Sequence, residues 1–152
     1  MTTLAADSLR EKLLGDEIEY PVVASDIIYQ GAAVGENASG YARPLVAGDA
    51  FLGFATSQAD NSTGSAGDIT VACETRGRYR LTVAGATAVT ANDQPIVYAS
   101  DDDTFTLTEG SNTPIGRVVK WLASTDCIVA VDTIYSAERA AVVAALATKA
   151  AA

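Results

Sequence analysis

From Pro21 to Val131 the chain alternates between apolar and polar positions in short runs. Ile69-Thr70-Val71-Ala72-Cys73 and Tyr79-Arg80-Leu81-Thr82-Val83 follow the period of two that belongs to a strand with one buried face. Pro21-Val22-Val23-Ala24, Ile27-Ile28-Tyr29, Phe51-Leu52-Gly53-Phe54-Ala55, Ile96-Val97-Tyr98, Phe105-Thr106-Leu107-Thr108, Gly116-Arg117-Val118-Val119-Lys120-Trp121 and Cys127-Ile128-Val129-Ala130-Val131 add further β-branched or aromatic runs. Between them lie Gly, Asn, Asp and Ser, as in the loop from Gln58 to Gly67. Short strands with turn chemistry roughly every dozen residues predict an all-β domain, a compact barrel or sandwich. No helical segments alternate with them, which argues against a parallel βαβ sheet.

The two ends have a different pattern. Residues 1–20 hold five acids and two bases, and Ser8-Leu9-Arg10-Glu11 fits a capping box with Leu9, Leu13 and Leu14 behind it and Gly15 as a stop. A helix this short is unstable in water unless it docks. The segment therefore reads either as a frayed terminus or as an arm that orders on a partner. Fully extended, it would reach roughly 66 Å, against a radius of gyration of roughly 15 Å for the chain. Residues 136–152 read as an alanine-rich helix, with Ser136 as N-cap, Glu138 in the first turn and Lys149 near the end. Val142, Val143 and Leu146 give it a narrow apolar stripe, for packing on its own barrel or at a subunit contact. The chain thus divides into an arm (1–20), a β domain (21–135) and a C-terminal helix (136–152).

Composition narrows the function. The 152 residues are 49% hydrophobic and 19% charged, as in a folded domain, and carry a net charge of -9. Such a surface disfavours nucleic acid and anionic lipid, whose non-specific binding depends on Lys and Arg. There is no histidine, so Ser-His-Asp and Cys-His catalysis and the usual zinc sites are excluded. No Gly-x-Ser-x-Gly elbow and no phosphate-binding loop occurs. The expectation is a protein that is not an enzyme, with no catalytic, cofactor or metal site. Cys73 and Cys127, set in apolar strand-like runs, read as two buried, reduced thiols, with a disulfide between them as the alternative. The N-terminus lacks a secretory pattern, and no run approaches the ~20 apolar residues of a membrane span. The expectation is synthesis in a cytosol.

Two charged clusters stand out. Arg76, Arg78 and Arg80 share one face if they lie in a strand. That face is answered either by acids of the same chain or by carboxylates of a neighbour, for which guanidinium forks are suited. Asp101-Asp102-Asp103 lacks the spacing of a calcium loop and falls between two strand signals, so it reads as a hairpin turn.

In sequence order, Gly31-Ala32-Ala33-Val34-Gly35, Gly48-Asp49-Ala50-Phe51-Leu52-Gly53-Phe54-Ala55, Gly67-Asp68-Ile69-Thr70-Val71, Arg76-Gly77-Arg78-Tyr79-Arg80-Leu81, Asn92-Asp93-Gln94-Pro95-Ile96-Val97-Tyr98 and Ile115-Gly116-Arg117-Val118 resemble the repeated turn-and-strand units of tailed-bacteriophage capsid decoration, or cement, proteins. The resemblance covers roughly residues 21–135. Asn92-Asp93-Gln94-Pro95 stands where that family has a Gly-Asp turn, and the C-terminal helix has no counterpart in its core pattern. What the resemblance implies is a compact barrel-like protein of the virion exterior, made in the host cytoplasm, that binds the major capsid protein and bridges neighbouring subunits. It also implies a homo-oligomer, a trimer rather than a dimer. The candidate contacts are then Leu9, Leu13 and Leu14, Arg76, Arg78 and Arg80, and Val142, Val143 and Leu146. The alternative is a carbohydrate- or surface-binding module of a fibre or adhesin, which would present Tyr29, Tyr41 and Tyr79 as an aromatic platform. A hydrolase working with carboxylates alone would need two acids in one cleft.

Overall fold

A computed structural model of the chain describes residues 5–7, 15–89 and 93–151. Its strands are β1 (Glu17–Pro21), β2 (Ile27–Ile28), β3 (Ala33–Glu36), β4 (Ala42–Pro44), β5 (Ala50–Ala55), β6 (Ala59–Asp60), β7 (Thr70–Glu74), β8 (Arg76–Ala84), β9 (Ile96–Ala99), β10 (Phe105–Thr106), β11 (Thr113–Ala123) and β12 (Asp126–Asp132). A helix, α1 (Thr133–Ala151), follows. The protein is all-β apart from that helix, as its strand pattern predicts. β10, β8, β12, β11 and β9 form a closed barrel. All its pairs are antiparallel except β10 with β8, the parallel pair in which Phe105 faces Val83. A second sheet has the order β1-β7-β5-β3-β4, and β2 pairs with β6.

β5 carries side chains into both hydrophobic clusters. Phe51 and Phe54 enter the barrel core with Val83, Val97, Phe105, Ile115 and Val129, while Leu52 and Ala55 join Val22, Ile28, Val34 and Val71. In a regular strand, positions three apart face opposite ways. Here the pairing shifts, with Val34 opposite Gly53 and Gly35 opposite Phe51, so the extra residue returns both phenylalanines to the barrel side. Gly53 holds φ at 118°, which explains why glycine stands at the bulge.

The two cysteines are free and buried, Cys127 inside the barrel and Cys73 in the second cluster. Burial pushes the Cys73 thiol up to about 12 and raises that of Cys127 as well. Because only the thiolate reacts, neither cysteine of the native protein should react with Ellman's reagent at pH 8. Both should titrate once guanidinium unfolds the chain. A thiol that reacts rapidly in the native state would place that cysteine outside the core.

Several boundaries differ from the sequence reading. β1 begins at Glu17, inside the segment read as an arm, and pairs along its length with β7. Asp16 is tied in as well, its carbonyl accepting from the Thr75 N–H at 2.6 Å. Asp16 and β1 therefore belong to the folded body, not to an arm. β3 and β4 fall between the runs read as strands, and β6 falls in the loop read from Gln58 to Gly67. The helix starts at Thr133, not after Ser136: the Ile134 N–H donates to Asp132 Oδ1 at 2.8 Å, so Asp132 is the N-cap. Ser136 is buried within the helix, and Glu138 lies in its second turn. Lys149 is in the last turn as expected. Asp101–Asp103 is a turn: Asp101 accepts from the Asp103 N–H and the Thr104 hydroxyl at 2.9 and 3.0 Å.

Candidate functional site

The outer wall of the barrel is built by β8, β12 and β11 in that order, and their register decides which side chains meet there. β12 alternates without interruption, with Cys127, Val129 and Val131 inward and Asp126, Ile128, Ala130 and Asp132 outward. On β8 the outward positions are Arg76, Arg78 and Arg80, all exposed, as the sequence spacing predicts. Directly opposed residues share a face. One row therefore runs Arg78–Ala130–Arg117 and the next Arg80–Ile128–Lys120, with Arg76 opposite Asp132 at the end.

Arg117 and Lys120 escape the sequence reading for a physical reason. Three positions apart, they would point to opposite sides of a regular strand. The pairing of β11 with β12 skips one residue between Val118 and Lys120, and this irregularity returns Lys120 to the outer face. The wall thus gathers five of the six basic residues between 21 and 135. The sixth, Arg43, is held in the other sheet by a bidentate pair with Asp49, at 2.9 and 2.7 Å. The strands of that sheet and of the β2–β6 pair carry Glu17, Glu19, Glu36, Asp60 and Glu74. Charge is therefore segregated on a body whose net charge is -9.

Acids of the same chain answer two of the predicted arginines. Arg76 Nε lies 2.8 Å from Asp16 Oδ1, and Arg80 Nη2 lies 2.7 Å from Asp126 Oδ2. Hydrogen bonds from Arg80 and Thr82 hold Asp126 below the usual carboxylate range. Arg78 has no ion pair or hydrogen bond among the described residues. Arg117 donates to the Gln94 carbonyl at 3.1 Å and stacks over the Tyr135 ring at 5.6 Å. Where the wall meets the start of α1, Asp16, Arg76, Arg78, Arg117, Asp132 and Tyr135 border an open cleft of about 420 Å³.

The other predicted contacts do not form one surface. Val143 lines a cavity of about 400 Å³ beneath α1, together with Ser136, Ala140 and Ala147 from the same helix face and Phe51 and Pro114 from the sheets. Val142 and Leu146 lie outside it, 49% and 59% exposed. The apolar stripe read from the sequence is thus split, and the small residues form the inner face. Leu9, Leu13 and Leu14 lie outside the described residues. Of the three tyrosines proposed as a platform, Tyr79 packs inside the barrel with its ring 4.7 Å from that of Phe54, while Tyr29 is 58% exposed. Among the described residues no group of three or more Cys, Asp and Glu is placed to hold a metal ion, and no helix is long and apolar enough to cross a membrane.

Comparison with protein-family models, with curated proteins and with solved structures gave no match to this chain.

Proposed function

We propose that this protein is a structural attachment module of a bacteriophage head. It binds the outer surface of the shell, bridges neighbouring major capsid subunits and works as a homo-oligomer, a trimer rather than a dimer. The observation that carries this reading is the segregated charge: a closed barrel presents a basic wall on an otherwise anionic body. Such a body docks in one orientation, because the wrong face meets like charge. The family resemblance of residues 21–135 supports the same reading. Asp16 stands at the edge of the basic wall, so the preceding residues join the body beside its docking face. Contacts repeated over a shell add through multivalency, so each needs little affinity of its own.

Co-sedimentation with expanded phage heads tests the reading, and saturable binding is expected. Deleting residues 1–14 should weaken attachment by about tenfold, a loss of roughly 1.4 kcal/mol per site. Thermal unfolding of the free protein should stay within about 2 °C of the full-length value, under 1 kcal/mol for a chain of this size. The cut must stop before Asp16, which bonds to Thr75 and Arg76. Absence of binding to heads, with binding to glycans instead, would replace this reading by a carbohydrate-binding one.

A further inference from the structure

We propose that the cleft between the barrel wall and the start of α1 is a receptor site for a carboxylate side chain of a partner polypeptide, clamped between Arg78 and Arg117. The identity of that partner rests on the attachment reading above; the chemistry of the cleft does not. Arg78 and Arg117 flank Ala130 in one row across three strands, so their backbones stand roughly 9–10 Å apart. Ala130 is the smallest side chain such a row can hold without a glycine, and it leaves the space between the two guanidinium groups open. In the next row the same place is taken by Ile128.

The cleft also holds charge that its own acids do not consume. Of its two carboxylates, Asp16 is taken by Arg76 and Asp132 by the Ile134 N–H at the helix start. Arg78 is left without a partner among the described residues, and Arg117 has only a backbone carbonyl and an aromatic face. Tyr135 lines the cleft as well, with Arg117 over its ring. The first turn of α1 adds partial positive charge.

The balance of charges selects the ligand. Three guanidinium groups face two carboxylates, which suits a planar monoanion that takes two parallel N–H bonds. A phosphate backbone would bring a row of charges past Asp16 and Asp132. A glutamate or aspartate from another protein brings one.

A fluorescein-labelled serine–glycine hexapeptide carrying one glutamate, read by anisotropy against the same peptide with glutamine in its place, tests the site on the full-length protein. The expected result is binding at least about tenfold tighter for the acidic peptide, weakened by 300 mM salt as screening requires. Arg78→Gln with Arg117→Gln should abolish that preference, while Arg80→Gln, on the same wall but outside the cleft, should change it less than about twofold. All three arginines are exposed, so unchanged thermal unfolding serves as the folding control. Peptide binding that survives the double substitution would overturn the proposal, as would tighter binding of an oligothymidylate than of the peptide. Salt-sensitive self-association lost in the double variant would assign the cleft to a second copy of this chain and overturn the partner. Peptide binding without attachment to heads would uphold the cleft while removing the capsid reading; attachment to heads without peptide binding would do the reverse.

Discussion

Phe54→Ala is expected to lower the midpoint of thermal unfolding by roughly 6–20 °C, the consequence of losing about 3–5 kcal/mol in a domain of this size. Phe54 is buried, with ring centroids 5.7 Å from Phe51, 4.7 Å from Tyr79 and 5.9 Å from Phe105. Phe51 shares its strand, but Tyr79 and Phe105 belong to the barrel, so one side chain joins the barrel to the neighbouring sheet. Truncation removes the aromatic contacts together with the buried area, and the surrounding strands are hydrogen-bonded too firmly to collapse into the space. Calorimetry should show a single cooperative transition shifted downward. A loss of less than about 1 kcal/mol would mean that the two sheets do not depend on this contact, and a separate early transition would show them unfolding independently.

The same strand illustrates how far the sequence is legible. Phe51-Leu52-Gly53-Phe54-Ala55 is recognisable as a buried strand from its composition, yet only the bulge at Gly53 sends both phenylalanines to one side. Strands that alternate cleanly, such as β8 and β12, reveal their faces in the sequence, and the exposure of Arg76, Arg78 and Arg80 follows from period two alone. β3, with Ala33-Val34-Gly35-Glu36, carries a single β-branched residue and is formed by its neighbours β4 and β5 rather than by its own propensity. β1 is masked by its two glutamates, which an edge strand can hold in solvent.

The basic wall was half legible for a related reason. Three of its cations lie two residues apart in one strand, which spacing detects. The other two lie some 40 residues later, on a strand whose register is reset by an irregularity, and only the pairing through β12 brings them alongside. Long-range register depends on tertiary packing and cannot be read from a local pattern. The helix misled for the opposite reason. Val142, Val143 and Leu146 are its largest aliphatic side chains past Ile134, but only Val143 faces the sheets, across a cavity that the small residues Ser136, Ala140 and Ala147 also line.

Gly116→Ala is expected to cost roughly 3 kcal/mol, the upper part of the range for overpacking, and to lower the unfolding midpoint by about 6–12 °C. Conformational freedom is not what requires glycine here. A Cβ at this position would collide with the carbonyl oxygen of Ala130 and would stand 3.0 Å from Val131 Cα. Those are backbone atoms of β12, and they cannot rotate away as the end of a side chain can. Gly116 pairs with Val131 on one side and with Val97 of β9 on the other, so moving β11 away from β12 strains both ladders of the closed barrel. Gly116→Val should therefore prevent the barrel from closing, seen as loss of near-ultraviolet circular dichroism and of the cooperative transition. Gly110→Ala is the contrasting case: no atom lies within 4 Å, only its φ of 46° resists a side chain, and the cost should stay near 1 kcal/mol. If Gly116→Ala unfolds within about 2 °C of the wild-type protein, β11 and β12 are not held as closely as described. That outcome would also weaken the row Arg78–Ala130–Arg117, because the same pairing of β11 with β12 that crowds Gly116 is what sets Arg117 beside Ala130.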